Sequence, residues 1–204
     1  MKPQIAHWNQ RYDREDYLFG TEPNAFLQRQ QHWLQPGMHA LSVADGEGRN
    51  GVWLAEQGLD VLAVEAAPLA IAKACHLAAG RGVKLRHECV DLLEWDWGRE
   101  RFDLIVGIFI QFAGPALRQQ MFDSMQRALK PGGLLLLEGY RTEQLAYGTG
   151  GPRDIDNLYT EALLREAFAD LEILQLESYD AEIHEGSGHH GMSALIDLVA
   201  RKPV

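Results

Sequence analysis

The sequence predicts an α/β domain built on a mostly parallel sheet, on three observations. Short β-branched or leucine-rich runs alternate with helical periodicity from residue 39 onward. A glycine-rich turn lies between the first of these runs and a helix. Hydrophobic residues make up 46% and charged residues 24%, the proportions of a chain that buries a core. At 204 residues, one domain spanning 1–204 needs neither disulfide nor metal to fold.

The elements follow in order. Residues 7–12 and 24–33 read as two short helices within an N-terminal cover of residues 1–36, the second begun by Thr21, Glu22 and Pro23. Five strands are expected over 39–44, 61–65, 84–88, 102–108 and 134–138, each ending at a turn. Helices are expected between them over 51–57, 68–79 and 115–129. Pro68 and Pro115 stand at favoured first-turn positions, and Gly58 and Gly80 follow helix ends. After the fifth strand come a long loop, 139–158, a helix over 159–168, and strands over 172–179 and 193–200. The connection 180–192 is short for a crossover helix, so the last strand is reversed and the sheet has seven strands. Residues 139–158 and 180–192 are the expected active-site loops.

Charge and composition narrow the partners. With 19 Lys and Arg against 29 Asp and Glu, the net charge of -10 repels phosphate backbones, so nucleic acid is not an expected partner. No apolar run is long enough to span a bilayer, and the start lacks the pattern of a signal peptide, so a cytoplasmic location without membrane contact is expected. Cys75 and Cys89 lack metal-ligand spacing and read as buried, reduced thiols. The oligomeric state is left open.

Residues 41–51, L-S-V-A-D-G-E-G-R-N-G, match G-x-G-x-x-G at Gly46, Gly48 and Gly51. After a strand and before a helix, such glycines let backbone N–H groups approach a nucleoside ligand. Glu65 ends the next strand, about 20 residues on, where a carboxylate can accept from both ribose hydroxyls. Charge selects among cofactors. A carboxylate about 4 Å from a phosphate costs about 4 kcal/mol at an effective dielectric of 20, whereas beside an ammonium it is favourable. Asp45 and Glu47 therefore favour S-adenosylmethionine over a dinucleotide, unless they point to solvent.

The chain resembles the class I S-adenosylmethionine-dependent methyltransferases, within them the tellurite-resistance and thiopurine-type branch. The resemblance rests on Trp8 to Tyr12 (W-N-Q-R-Y), Phe19 to Phe26 (F-G-T-E-P-N-A-F), Gly46 to Asn50 (G-E-G-R-N), Lys130 to Gly133 (K-P-G-G) and the closing Val199 to Lys202. It implies a Rossmann-like methyltransferase fold. It implies a cofactor site of Ala44, Asp45, Gly46, Glu47, Gly48, Asn50, Glu65 and Ala66, with Asp91 and Leu92 flanking the adenine and Ile108 near the methionine moiety. The sequence departs from the family where Ser42 replaces an acid and Ala44 a glycine, and Asp45 is the candidate for the ammonium contact. A turn cap is the alternative for Asp91.

Acceptor residues are expected at the carboxyl ends of the later strands. Phe109, Gln111 and Phe112 follow the fourth strand; Glu138, Tyr140, Arg141 and Tyr147 follow the fifth; His184, Glu185, His189 and His190 lie in the last connection. His184 and His189 are expected to orient or deprotonate a small-molecule methyl acceptor, a soft thiol- or chalcogen-type nucleophile among the candidates, with Arg141 and Tyr147 as the next choice. His184 also matches a histidine of the tellurite-resistance enzymes. A metal site is not expected in this glycine-rich stretch, because methyl transfer from a sulfonium needs no Lewis acid. Solvated histidines, an NAD(P)-binding oxidoreductase and a non-catalytic cofactor-binding module remain as alternatives.

Overall fold

A computed structural model describes residues 2–204. The chain forms two compact units. One runs to Trp95 and takes in Glu185–Gly188; the other comprises Asp96–His184 and His189–Val204. The strands are β1 (His39–Val43), β2 (Asp60–Glu65), β3 (Arg86–Cys89), β4 (Phe102–Ile108), β5 (Leu129–Tyr140), β6 (Glu172–Glu185) and β7 (His189–Arg201). They form one seven-stranded sheet of order β3-β2-β1-β4-β5-β7-β6, in which β7 runs antiparallel to β5. This order, with its reversed β7, agrees with the fold that the resemblance implies.

In the first unit β2 is parallel to both neighbours, with Leu41 opposite Leu62 and Glu65 opposite Cys89. Residues 40–43 and 61–64 are buried without alternation, as expected of strands covered on both faces. Helix α1 (Pro3–Arg11) and helix α2 (Ala25–Arg29) precede the sheet; Asn24 caps α2 by accepting from Leu27 N–H at 3.0 Å. Helix α3 (Arg49–Glu56) follows β1, and helix α4 (Pro68–Arg81) follows β2. Helix α4 runs through Gly80, the expected stop, and ends at Gly82, whose left-handed φ of 71° closes it.

In the second unit β4 pairs parallel with β5 from Leu104 opposite Leu134 to Ile108 opposite Glu138. Helix α5 (Pro115–Ala128) connects them. Its carboxyl end is closed by Lys202, whose ammonium donates to the carbonyls of Gln126 (3.0 Å) and Leu129 (2.7 Å). Helix α6 (Gln144–Tyr147) and helix α7 (Glu161–Ala167) complete the unit, α7 being capped by Thr160. Phe122 packs against Phe168 and Tyr159 at ring separations of 4.8 and 5.8 Å.

Three expectations are corrected. The active-site loop over 180–192 is mostly strand: β6 extends to Glu185 and β7 starts at His189, leaving Gly186–Gly188 as the turn. The stretch 139–158 contains the end of β5, α6 and a 3-10 turn at Ile155–Asn157. Both cysteines are exposed free thiols, Cys89 at the end of the edge strand β3 and Cys75 on α4. Among the described residues, no helix is long and apolar enough to cross a membrane.

Candidate functional site

The glycine-rich loop takes its shape from steric limits that the chain itself imposes. Beyond β1, Ala44 adopts a left-handed φ of 50°, a conformation few side chains tolerate. Gly46 and Gly48 follow at 60° and 94°. A Cβ on Gly48 would lie 2.6 Å from Cβ of Ala74, so glycine there lets α4 close on the loop. A Cβ on Gly51 would lie 2.6 Å from Oδ2 of Asp45. The third glycine of the motif thus makes room for this chain's own carboxylate.

Asp45 is buried under the loop. Its Oδ1 accepts from Ser42 Oγ at 2.5 Å and from Gly51 N–H at 2.9 Å. Its Oδ2 has no hydrogen-bond partner among the described residues. Burial pushes the carboxyl up to about 6, against the pull of those two hydrogen bonds and of Arg49.

Glu47 is turned to another task. Its Oε1 pairs with Lys73 Nζ at 2.8 Å, and Oε2 accepts from Leu18 N–H at 2.7 Å. The carboxylate thereby holds the N-terminal segment, and Lys73 offsets the charge expected to face a ligand. Asn50 Oδ1 likewise accepts from Asn24 N–H at 3.0 Å.

Glu65 stands at the end of β2, as expected, and is buried. It accepts from Gly46 N–H at 3.0 Å and from Ala66 and Ala67 N–H at 2.8 Å each. Burial raises its pKa, and these bonds oppose the rise. Tyr12 of the W-N-Q-R-Y segment stacks on Trp8 at 5.8 Å, and its hydroxyl lies 3.0 Å from where a Gly46 side chain would begin. Burial, followed by the charges of Glu65 and Glu47, raises that hydroxyl's pKa. Asp91 caps a turn by accepting from Leu93 N–H at 3.0 Å, and pairs with Lys2 at 2.7 Å, which lowers its pKa. Leu92 beside it is buried.

The second unit holds Ile108 and the candidate acceptor residues. Ile108 ends β4; Phe109 follows in a left-handed conformation with φ 54°. Strained non-glycine backbone of this kind gathers at functional sites. The Phe109 ring stacks on Tyr140 at 4.6 Å and meets His189 edge-on at 4.4 Å, with His189 5.7 Å from Tyr140. Tyr140 and His189 are buried. The two predicted histidines are parted: alternation along β7 puts His189 and His190 on opposite faces, and His184 of β6 falls beside His190. His189 joins this aromatic trio, whereas His184 is exposed and meets His190 with Nδ1 atoms 3.2 Å apart. Arg141 and Tyr147 both bind Asp180, the tyrosine hydroxyl donating at 2.8 Å. Gln111 is spent on the backbone of Tyr140 and Asn157.

Sequence reasoning missed Lys73, Asp180 and the contact of Tyr12 with the loop. For Tyr12 the W-N-Q-R-Y segment was a signal; for the other two no local pattern exists.

The chain is similar to known proteins in sequence and in fold. Residues 40–133 match a family described as a methyltransferase domain. Among curated proteins, 169 residues are 28% identical to hemagglutinin 1 of Eikenella corrodens, covering 80% of this chain and 54% of that protein. A further 105-residue match, 29% identical, is to an uncharacterised methyltransferase of Synechocystis, covering 51% of this chain and 48% of that protein. The chain therefore spans about half the length of the curated relatives it matches. Among solved structures, TehB from Haemophilus influenzae superposes with a TM-score of 0.72 at 18% identity, over 98% of this chain and 67% of that one. The N-methyltransferase NodS from Bradyrhizobium japonicum, bound to S-adenosyl-L-homocysteine, superposes with a TM-score of 0.74 at 17% identity, over 98% and 99%.

Proposed function

We propose that this chain, which carries a class I S-adenosylmethionine-dependent methyltransferase domain, transfers the cofactor's methyl group to a small-molecule acceptor. The observation that carries the reading is the loop geometry. Gly46 and Gly48 leave the backbone bare of side chains, and the Glu65 carboxylate is bonded to Gly46 N–H at 3.0 Å. A nucleoside that reaches Glu65 with its ribose hydroxyls lies against the backbone donors of the loop. The cofactor fits this residue set: a buried carboxylate at Asp45 complements an ammonium and would oppose a phosphate.

When bound, S-adenosylmethionine supplies a methyl group on a cationic sulfur, open to in-line attack. The work left to the protein is alignment of the acceptor, the term that dominates such reactions. We assign that role to Phe109, Tyr140 and His189. Phe109, the partly exposed ring of the stacked pair, gives an apolar surface, and the His189 imidazole orients or deprotonates the acceptor. A sulfur-type nucleophile suits the Phe109 ring, because sulfur packs favourably at aromatic edges by about 0.3–1.5 kcal/mol. Once ionised, it asks little of a base.

The reading is tested in two steps. Calorimetry should detect S-adenosylhomocysteine binding at micromolar concentration and no response to NAD. Turnover to S-adenosylhomocysteine is then followed over a panel of thiol, selenol, oxygen and nitrogen acceptors. NAD binding without S-adenosylhomocysteine binding would sink the cofactor assignment, and silence across the whole panel would favour a non-catalytic binding module.

A further inference from the structure

Arg49 is the first residue of α3, directly after the left-handed turn at Gly48. Its side chain is only 8% exposed. One half of the guanidinium is engaged: Nη2 donates to Glu185 Oε2 at 2.8 Å. Glu185 is fixed in turn, since its Oε1 accepts from Asn24 Nδ2 at 3.0 Å. The other half is not. Nη1 is buried and has no hydrogen-bond partner among the described residues.

A guanidinium is a planar fork of five donors shaped for the paired oxygens of a carboxylate, and it stays charged when buried. A buried N–H left open on such a group is costly unless something else accepts from it. The N-terminus of an eight-residue helix adds to its affinity for an anion. Four residues earlier on the same turn, Asp45 Oδ2 is a buried acceptor that also has no partner among the described residues. One turn thus carries a buried cationic donor and a buried anionic acceptor, each without a hydrogen-bond partner among the described residues. That pair complements the carboxylate and ammonium of an α-amino acid.

Resting on the cofactor reading above, we propose that Arg49 receives the α-carboxylate of the methionyl end of S-adenosylmethionine. Asp45 faces the ammonium, and Glu185 is a positioning residue that aims the guanidinium. The packing of the Gly186–Gly188 turn supports that aim. Gly188 N–H donates to Leu18 carbonyl at 2.9 Å, and a Cβ on Gly186 would meet that same oxygen at 2.4 Å. The turn that carries Glu185 is thereby seated against the segment at Leu18.

The test compares two ligands that differ in the amino-acid end. Wild type and Arg49→Gln are titrated by calorimetry with S-adenosylhomocysteine and with 5′-methylthioadenosine, which lacks the carboxylate and the ammonium. The proposal expects Arg49→Gln to weaken S-adenosylhomocysteine roughly 10- to 100-fold, as for loss of charge-assisted hydrogen bonds. 5′-Methylthioadenosine should change by less than about 2-fold, which also shows the variant to be folded. Arg49→Lys, with the charge but not the fork, should fall between the two and serves if the glutamine variant does not fold. Unchanged S-adenosylhomocysteine affinity, or an equal loss for both ligands, overturns the role of Arg49. If wild type binds neither ligand, the cofactor reading itself fails.

Discussion

Ser42 donates a 2.5 Å hydrogen bond to Asp45, three residues on, and the carboxylate so held is buried beneath the glycine-rich loop. Because burial raises Asp45 to about 6, the folded state binds its proton more tightly than the unfolded chain does. Its contribution to stability is therefore full below about pH 4 and is lost as pH rises through about 6. Asp45→Asn removes this dependence. The difference between wild type and variant, read from urea midpoints at pH 4 to 8, should grow with pH to at most about 3 kcal/mol in favour of the variant. At pH 8 the same variant should bind S-adenosylhomocysteine more weakly. A parallel pair of stability curves would count against the buried charge.

Glu65 has two duties, and two substitutions separate them. Glu65→Ala removes three acceptor bonds to the loop and to the start of α4. It should lower the melting temperature and weaken the cofactor by roughly 1.5–3 kcal/mol. Glu65→Gln keeps one acceptor and should preserve more of the stability. Calorimetry beside thermal melting checks both, and full cofactor affinity in either folded variant would exclude the ribose role.

Lys73 neutralises Glu47, whose side chain is almost wholly buried. Lys73→Met should cost about 2 kcal/mol, less than for a fully buried pair because Lys73 keeps some exposure and the N–H of Leu18 still serves the carboxylate. Limited proteolysis should then cut near Tyr17–Phe19. Resistance equal to wild type would show that the pair does not hold the segment.

The two histidines should differ. His189, packed against Phe109 and Tyr140, is expected to lower turnover by about 100- to 10,000-fold when changed to alanine, with cofactor affinity nearly unchanged. His184→Ala, at the surface, should cost less than about 5-fold. Equal losses would remove the distinction between them, and the measurement is single-turnover kinetics with whichever acceptor the panel identifies.

Gly186 and Gly37 share a left-handed backbone, with φ of 65° and 86°, yet a Cβ on Gly37 meets nothing within 4 Å. Gly37→Ala should therefore cost about 1 kcal/mol of backbone strain. Gly186→Ala should cost well over about 2 kcal/mol, because it also displaces backbone at Leu18 and Gly20. Urea unfolding of both checks the comparison.

The sequence by itself determined the strand and helix order, the reversed last strand, the loop at Gly46 and Gly48, and the place of Glu65 at the end of β2. Each is written in spacing that adjacent residues carry, a period of two or 3.6 or a glycine directly after a strand, so local sequence sufficed. Only the tertiary structure decided that Glu47 pairs with Lys73, 26 residues away, instead of facing a ligand. It alone set Glu185 on Arg49 across 136 residues. It alone made strand of the stretch read as a histidine loop, which put His189 among aromatic rings and left His184 at the surface. The physical reason is the same each time: the partner that neutralises a buried charge, or the ring that covers an imidazole, comes from a segment distant in the chain. No residue near it in sequence records the meeting.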